Sequence, residues 1–355
     1  MSARRPLRVA LLAVAVALGV AAAPAGPAAA AGHPRPVTVM SYNLFLGADL
    51  QPLFGATPET VAGLAQGVWD HVERVDFRLR AQAIARLVAD ADPDVVGLQE
   101  VALWERGTTP ETLAPAYDFQ QILLDALAAR GEHYRAVSTS RNFASPPVPL
   151  ARGGVARFTD RDVVLVRRGV TARNADDGRY LARVPVPSPL FAGLSIVRGW
   201  ASVDVSVRGQ RLRVVDTHLE AYSATVRTLQ ATELAARFAF SRLPLVVVGD
   251  LNSRPDDATG AYGVLTRALG LRDAWTAVHG PDGGFTSGQT DDLNLPESRL
   301  DHRIDYVLFR GVRAVGAEVV GEEQADRTPP APGAPYGLWP SDHAGVVAAL
   351  TRRGH

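Results

Sequence analysis

The chain has 355 residues, with 37 arginines, 37 acidic residues, and no lysine or cysteine. The lack of cysteine excludes disulfide bonds and thiolate metal sites, so any metal has to be held by carboxylate, amide or imidazole groups. The balanced charge provides no long-range field for a polyanion. This argues against tight nucleic-acid binding, but it does not exclude a nuclease that holds its substrate loosely.

Residues 1–31 are predicted to be a signal peptide. Three arginines precede an uncharged apolar run at residues 9–23, and residues 28–30 fit the small-residue cleavage pattern. The run is shorter than the ~20 residues of a membrane-spanning helix, which favours export over a membrane anchor. Removing the segment takes away three of the 37 basic residues and no acid, leaving 34 against 37, a net charge near −3. We expect residues 32–355 to form a single domain of a secreted protein.

Apolar runs of strand length and amphipathic runs of helix length mix along the remaining chain without a regular alternation. The predicted strands cover residues 37–42, 94–99, 161–168, 200–207, 211–216, 303–309, 313–320 and 344–350, and residues 246–248 are predicted to be the middle of a further buried strand. The predicted helices cover residues 79–91, 119–129, 223–240 and 262–269, the third with Arg227, Gln230, Glu233 and Arg237 on its solvent side. This pattern predicts packed sheets covered by helices, in an α+β or layered α/β fold.

The segment at residues 245–255, LVVVGDLNSRP, ends a valine-rich strand with two polar residues. Asp250 and Asn252 are two positions apart, so an extended backbone would point both side chains the same way. The alternative interpretation is that they only form a turn, which the following Ser-Arg-Pro closes.

Other apolar runs also end or begin at polar residues. These are Asn43, Glu100, His218, Asp305, and the pair Asp342 and His343. Each has a purely structural interpretation: a turn residue, a surface acid, a helix cap or a core histidine. Six such coincidences together favour a site assembled at one rim of the sheets.

The segments that carry these residues resemble the endonuclease/exonuclease/phosphatase superfamily. The matches, in the family's order, are SYNL with Asn43, GLQEV with Glu100, DTHL with His218, GDLN with Asp250 and Asn252, RIDYVL with Asp305, and SDH with Asp342 and His343. They span residues 38–350. The resemblance implies a four-layer α/β/β/α sandwich with two central mixed sheets, and a divalent-metal-dependent phosphoesterase.

The family pattern implies a role for each matched residue. It makes His343 the general base and Asp305 the group that orients it. His218 would bond a phosphoryl oxygen or assist the leaving group, and Asn252 would donate to the phosphate. Asp250 would hold the attacking water or a second metal.

Metal ligation is expected from Glu100, Asn43, Asp342 and Asp250. Hard oxygen ligands of this kind suit Mg²⁺, and Mn²⁺ or Ca²⁺ are also compatible. A transition-metal cluster formed by His218, His343 and the acids is the alternative. The arginine or tyrosine that contacts phosphate in some family members has no clear counterpart here, and Arg152, Arg161 and Arg198 are the candidates.

The substrate is expected to depend on loops. Residues 187–200 carry Phe191, and residues 329–343 carry Trp339, so both loops could offer apolar side chains to a lipid surface. The alternative is that the loops fold onto the sandwich as a satellite core. The arginines are scattered, whereas a nuclease typically clusters them near its site.

We therefore expect a phospholipase C-type enzyme, similar to bacterial sphingomyelinase, with phospholipid favoured over nucleic acid and transient membrane contact near Phe191 and Trp339. No stable protein partner is implied. An extracellular nuclease, a phosphomonoesterase and a non-catalytic binding module on the same fold remain alternatives.

Overall fold

Two mixed β-sheets lie face to face between two groups of helices in the computed structural model, which describes residues 35–352. The predicted signal peptide therefore lies outside the described residues. Within these residues the α-helices are α1 (Val61–Arg74), α2 (Phe77–Ala91), α3 (Phe119–Ala129), α4 (Ala224–Phe238), α5 (Ala261–Leu269) and α6 (Ala274–His279).

The first sheet contains nine strands. They are β1 (Val37–Asn43), β2 (Val95–Gln99), β3 (Leu103–Gly107), β4 (Ala114–Asp118), β5 (Tyr134–Ala144), β6 (Val148–Pro149), β7 (Val155–Arg167), β16 (Val312–Val320) and β17 (Gly345–Arg352). Their path is β16-β17-β1-β2-β7-β3-β4, with β5 and β6 also paired to β7.

The second sheet contains six strands. They are β8 (Thr171–Arg179), β11 (Gly199–Val207), β12 (Gln210–His218), β13 (Leu245–Asp250), β14 (Arg272–Asp273) and β15 (Asp305–Arg310). Their order is β14-β15-β13-β12-β11-β8. The short strands β9 (Val184–Pro185) and β10 (Ser195–Ile196) pair separately, next to a 3-10 turn at Pro189–Phe191.

Alternate side chains along the central strands point to opposite faces of the sheets and so pack into different layers of the sandwich. In β1, Val37 and Val39 face the second sheet, whereas Met40 and Tyr42 belong to the core under α1, α2 and α3. In β13, Val246 and Val248 fill the space between the sheets, while Leu245 and Val247 pack beneath α4 and α5. Side chains two positions apart share a face of a strand, so these valine-rich strands are buried on both sides. The four-layer α/β/β/α sandwich is confirmed.

One residue predicted on the solvent side of α4 is buried instead. Gln230, expected on the solvent side of α4, is fully buried. Its side chain accepts a hydrogen bond from the backbone N–H of Glu220 at 2.9 Å and donates to the carbonyl of Ala182 at 2.9 Å. These two bonds pair the buried amide and tie the segments at Ala182 and Glu220 to α4.

Candidate active site

Strand register brings three of the predicted residues side by side in the second sheet. His218 at the end of β12 pairs with Asp250 at the end of β13, and Asp250 pairs with Asp305 at the start of β15. All three side chains are buried. Strand pairing therefore fixes an imidazole and two carboxylates on one rim, as the sequence predicted.

His343 lies in the loop before β17 and approaches Asp250 and Asp305 from there. Its Nδ1 lies 2.8 Å from Asp305 Oδ2, and its Nε2 lies 3.9 Å from Asp250 Oδ2. The loop is held by Ser341, whose hydroxyl donates to the carbonyl of Asn43 at 2.7 Å. Burial opposes the charged ring, but Asp305 and then Asp342 outweigh it and hold the pKa of His343 well above its usual value.

Asn43 and Glu100 arrive from the first sheet, at the ends of the parallel strands β1 and β2. The amide of Asn43 donates to Asp250 Oδ2 at 3.1 Å, which joins the two sheets at the rim. Glu100 has a left-handed backbone, with φ of 55°, and its carboxylate accepts from the backbone N–H of Leu46 at 2.6 Å. The strained turn directs the carboxylate back over the strand ends.

The buried carboxylates of the site are suited to binding a cation. Burial, and next the charge of Asp342, raise the pKa of Glu100 to about 8. Burial and the neighbouring Asp305 raise the pKa of Asp250 to about 7, and burial also raises the pKa of Asp342. A bound divalent cation would supply the missing positive charge, and these oxygen donors suit a hard metal ion.

A second group of possible metal ligands shares Asp250 with the carboxylates described above. Asp250, Asp305 and His343 each offer a ligand atom, and these atoms lie within 4.8 Å of one another. Asp305 Oδ1 is buried without a hydrogen-bond partner among the described residues. The acids and the histidine therefore form a centre that can hold a metal.

His218 lies between a cation and an amide. Its Nδ1 is 3.1 Å from Arg198 Nη1, and its Nε2 is 3.1 Å from Asn252 Nδ2 and 3.5 Å from Asp250 Oδ2. Burial, and then Arg198 and His343, hold the pKa of His218 well below its usual value. The ring is therefore neutral and suited to hydrogen bonding rather than to carrying charge.

Arg198 is the arginine candidate that reaches the site. Its guanidinium, buried, bridges His218 and Asp160 Oδ2, the latter at 3.2 Å. Arg152 instead pairs with Asp70 at the surface, and Arg161 donates to the carbonyl of Val101 at 2.9 Å.

Asp160 was missed by the sequence analysis. It stands in β7 between Thr159 and the charged residues Arg161 and Asp162, so no local pattern in the sequence distinguishes it. Burial raises its pKa even though Arg198 acts in the opposite direction. Asp160 therefore adds a further buried acid, with its cation partner, to the site.

The loop at residues 329–343 does not offer its tryptophan to a surface. Trp339 is fully buried and donates from Nε1 to the carbonyl of Leu295 at 3.0 Å. It packs with Phe45, Val75 and Leu293 in a small separate core. The buried Trp339 side chain is therefore not available to a membrane, whereas Tyr336 of the same loop is 52% exposed and Phe191 is half-buried. Transient membrane contact through these two loops stays a prediction.

A cavity of about 300 Å³ opens beside the centre. Glu100, Asp160, Arg198 and Asp342 border it at the catalytic end. The remaining wall is mostly aliphatic and aromatic, with floor residues from β3, β7 and α1 and mouth residues from the segments around residues 46–54 and 186–196. The charged centre thus faces an apolar space.

Known structures share this fold. A mannosyl-6-phosphatase from Bacteroides thetaiotaomicron is 17% identical, with a TM-score of 0.55 over 89% of this chain and 99% of that chain. An endonuclease/exonuclease/phosphatase from Beutenbergia cavernae is 22% identical, with a TM-score of 0.55 over 90% and 72%. The human nocturnin catalytic domain is 15% identical, with a TM-score of 0.52 over 90% and 95%.

Comparison with curated proteins found no match. The model of the endonuclease/exonuclease/phosphatase family matches residues 40–343, a span that starts in β1 and ends at the histidine paired with Asp305. The resemblance predicted from the sequence is confirmed, and this chain belongs to the endonuclease/exonuclease/phosphatase family of metal-dependent phosphoesterases.

Proposed function

We propose that the protein is a Mg²⁺-dependent phosphodiesterase of the phospholipase C type, which releases the phosphorylated headgroup of a phospholipid. The observation that carries this proposal is the position of the His343–Asp305 pair and the Glu100 and Asp342 carboxylates at one end of an apolar cavity. Such a site combines a general base with a place for an anionic phosphate and for hydrocarbon.

His343 acts as the base in this proposal. Asp305 accepts a hydrogen bond from Nδ1, which leaves Nε2 to take the proton of a water molecule. The water oxygen attacks phosphorus in line, the bond between phosphorus and the lipid oxygen breaks, and that oxygen takes up a proton as the alcohol leaves. Asp305 then stabilises the imidazolium that has formed.

Glu100, Asp342, Asn43 and Asp250 would hold the Mg²⁺, which would supply positive charge to the phosphate oxygens. Arg198 lies beside His218 with its guanidinium bordering the cavity, so it can donate to a phosphate oxygen. Asn252 and the neutral His218 provide further hydrogen-bonding groups. Each such group contributes roughly 10²–10³ in rate when it contacts developing charge.

Phospholipid is favoured over nucleic acid because the wall beside the centre is apolar. A nucleic acid would place further phosphates next to the site, and Asp49 and Asp291 at the cavity rim would repel them. Phe191, half-buried at the mouth, and Tyr336, 52% exposed in the loop at residues 329–343, are candidates for transient contact with a lipid surface.

We also propose that the enzyme acts outside the cytoplasm after export. The support is the basic start, apolar run and small-residue site in residues 1–31. None of the helices in residues 35–352 combines the length and apolarity that a membrane crossing requires. N-terminal sequencing of protein recovered from the culture medium tests this proposal, and a mature protein that still begins at Met1 would contradict it.

The test of function offers several substrates to one preparation. Purified protein with Mg²⁺ is given sphingomyelin vesicles, phosphatidylethanolamine vesicles, double-stranded DNA, RNA and a sugar phosphate, each with an EDTA control. We expect metal-dependent headgroup release that His343→Ala lowers by roughly 10²–10⁴. The exposed His133 supplies the matched variant, and His133→Ala is expected to retain activity.

Two results would contradict the proposal. Cleavage of DNA, RNA or the sugar phosphate with inert lipids would replace the substrate and keep the catalytic residues. Turnover that is insensitive to EDTA and to His343→Ala would remove the proposed chemistry.

A further inference from the structure

We propose that the cavity beside the catalytic centre is a subsite that takes one hydrocarbon chain of the substrate into the protein. This inference rests on the proposed function and deepens it, because it defines the substrate as an amphiphile whose chain leaves the lipid surface. The enzyme would then select substrates by the length of the chain as well as by the phosphate.

The floor of the cavity presents carbon to its occupant. Trp69, Trp104 and Phe158 are buried there, with Trp104 and Phe158 ring centroids 4.7 Å apart. Trp104 Nε1 donates to the carbonyl of Leu46 at 2.8 Å, and Trp69 Nε1 donates to Glu73 at 2.7 Å. Since both indole N–H groups already have partners, the rings offer only apolar surface to a ligand.

Two polar side chains of the wall away from the catalytic end, Arg157 and Ser145, also have partners. Arg157 is bound at two positions by Glu105, at 2.6 and 2.7 Å. Ser145 donates to the carbonyl of Pro146 at 2.9 Å and accepts from the backbone N–H of Phe158 at 3.0 Å. A nucleotide base or a sugar placed against this wall would leave its own polar groups unpaired, which disfavours such ligands. A hydrocarbon chain has no such requirement.

The polarity of the cavity matches an amphiphile from end to end. Glu100, Asp160, Arg198 and Asp342 meet at the catalytic end, where a metal-bound phosphate would lie. Half-buried apolar side chains form most of the mouth, including Leu53, Phe54, Phe191, Leu194 and Ile196, and the exposed Asp49 and Asp291 lie at its rim. These apolar side chains expose carbon to water, so a chain that covers them is bound by the hydrophobic effect.

The size of the cavity sets a limit on the chain. Each methylene that moves from water into the cavity should strengthen binding about fourfold. Once a hydrocarbon chain fills the cavity of about 300 Å³, further methylenes remain in solvent and add little to the affinity. The signature of the subsite is therefore a steep rise in affinity with chain length followed by a plateau.

The experiment uses soluble probes, so that binding to a lipid surface does not contribute. Hydrolysis of bis(4-nitrophenyl) phosphate with Mg²⁺ reports the catalytic centre, and n-butyl-, n-hexyl-, n-octyl- and n-decylphosphonate serve as inhibitors below the concentrations at which they form micelles. We expect the inhibition constant to fall about fourfold for each added methylene until the cavity is full. Calorimetric titration of the same phosphonates measures binding independently of turnover.

Two variants at one position locate the subsite. Leu194→Asn places a polar amide in the wall and should remove most of the gain from chain length while leaving butylphosphonate almost unchanged. Leu194→Trp fills space and should bring the plateau to a shorter chain. Leu181 is 82% exposed and lies away from the cavity, so Leu181→Asn is the matched control and should behave as the unmodified protein.

The outcomes separate this inference from the proposed function. Hydrolysis with equal inhibition by short and long phosphonates, or equal effects of Leu194→Asn and Leu181→Asn, would overturn the subsite and retain the phosphodiesterase. Chain-length-dependent binding by calorimetry, in a protein that hydrolyses none of the phosphodiesters, would support the subsite and overturn the proposed function.

Discussion

His343 and Asp305 are 38 residues apart in sequence, yet His343 Nδ1 lies 2.8 Å from Asp305 Oδ2. Asp305 is fixed by strand pairing with Asp250, whereas His343 comes from a loop that Ser341 fastens to Asn43. The acid held in the strand therefore orients the base. The same contact favours the charged form of the ring.

The first prediction concerns the pH dependence of Asp305→Asn. Burial disfavours the charged ring of His343, and Asp305 with Asp342 raises its pKa well above the usual value despite that. A general base works when it is neutral, so activity of the unmodified enzyme should rise with pH through this raised pKa. Loss of the Asp305 charge should lower the pKa and move the rise in kcat/KM to lower pH, while the plateau falls roughly 10²–10⁴-fold.

The pair formed by the exposed Asp301 and the half-buried His302 provides the control for this measurement. Asp301→Asn removes a carboxylate from a histidine other than His343, and its pH profile should match that of the unmodified enzyme. An Asp305→Asn profile that keeps its midpoint would show that Asp305 does not set the pKa of His343.

The second prediction concerns stability without metal. The pKa of Glu100 is raised from 4.5 to about 8, mainly by burial and then by Asp342, and the pKa of Asp250 is raised from 3.8 to about 7, mainly by burial and then by Asp305. A carboxyl group whose folded-state pKa is raised contributes stability that is present below the unfolded pKa and is lost as pH rises through the folded pKa. The Tm of EDTA-treated protein should therefore fall between about pH 5 and pH 8.

Added Mg²⁺ should reverse much of that fall, because a ligand of the folded state raises stability by about 2.7 kcal/mol at a hundred times its Kd. Glu100→Gln should weaken both the pH dependence and the response to Mg²⁺ in thermal unfolding. Glu132→Gln, at a partly exposed carboxylate away from the centre, is a suitable control. A metal-free Tm that rises from pH 5 to pH 8 would contradict the assignment of these buried carboxyls.

The third prediction distinguishes the arginines. Arg198 bridges His218 and Asp160 at the cavity end, whereas Arg152 is bound to Asp70 at the surface. Arg198→Met should lower kcat/KM by roughly 10²–10³, since it removes a donor to phosphate charge. Arg152→Met should have little effect on kinetics. Similar kinetics for both variants would exclude Arg198 from phosphate recognition.

Much of the fold followed from apolar periodicity. Strands such as β1, β2 and β13 are buried on both faces and are rich in valine, and α3 was predicted with its observed ends. Helix α1 was not predicted, because Gly63 and Gly67 lower its intrinsic helix propensity. The edge strand β8 was also missed, since it is polar and largely exposed. Packing of neighbouring elements supplies the order that these segments lack locally.

The residues of the candidate site also fall into those that the local sequence predicts and those that it does not. Residues at strand ends, such as Asn43 and Asp250, could be predicted because an abrupt polar residue after an apolar run is visible in the sequence. Asp160 lies inside a strand, and its function depends on Arg198, which lies 38 residues later. The orientation of Trp339 depended on a satellite core assembled from distant segments, including Phe45 and Leu293. Contacts of this kind depend on the tertiary fold and leave no local pattern.

The last prediction concerns Arg80, a fully buried cation behind the centre. Its guanidinium donates to the carbonyls of Leu44 at 2.7 Å, Phe45 at 3.1 Å and Pro340 at 2.9 Å. Burial lowers its pKa to about 10, and Asp342 is the first of the charges that oppose this change. Arg80 therefore joins the loop after Asn43 to the loop before Asp342 and His343.

Arg80→Leu should leave buried carbonyl groups without donors, which destabilises the fold by about 1–3 kcal/mol for each group that stays unsatisfied. Arg80→Lys keeps a charge but cannot reproduce the planar fork of the guanidinium, so it should fold better than Arg80→Leu and still lose activity.

Urea unfolding measures the stability, and kcat together with KM is measured on the folded fraction. The matched control is Arg86→Leu on the same helix, whose side chain is exposed and donates to the carbonyl of Ala325 at 2.8 Å. An Arg80→Lys enzyme with normal kcat and reduced stability would limit Arg80 to a structural role. A reduced kcat at unchanged KM would identify it as the residue that positions the metal-binding and base-bearing loops relative to each other.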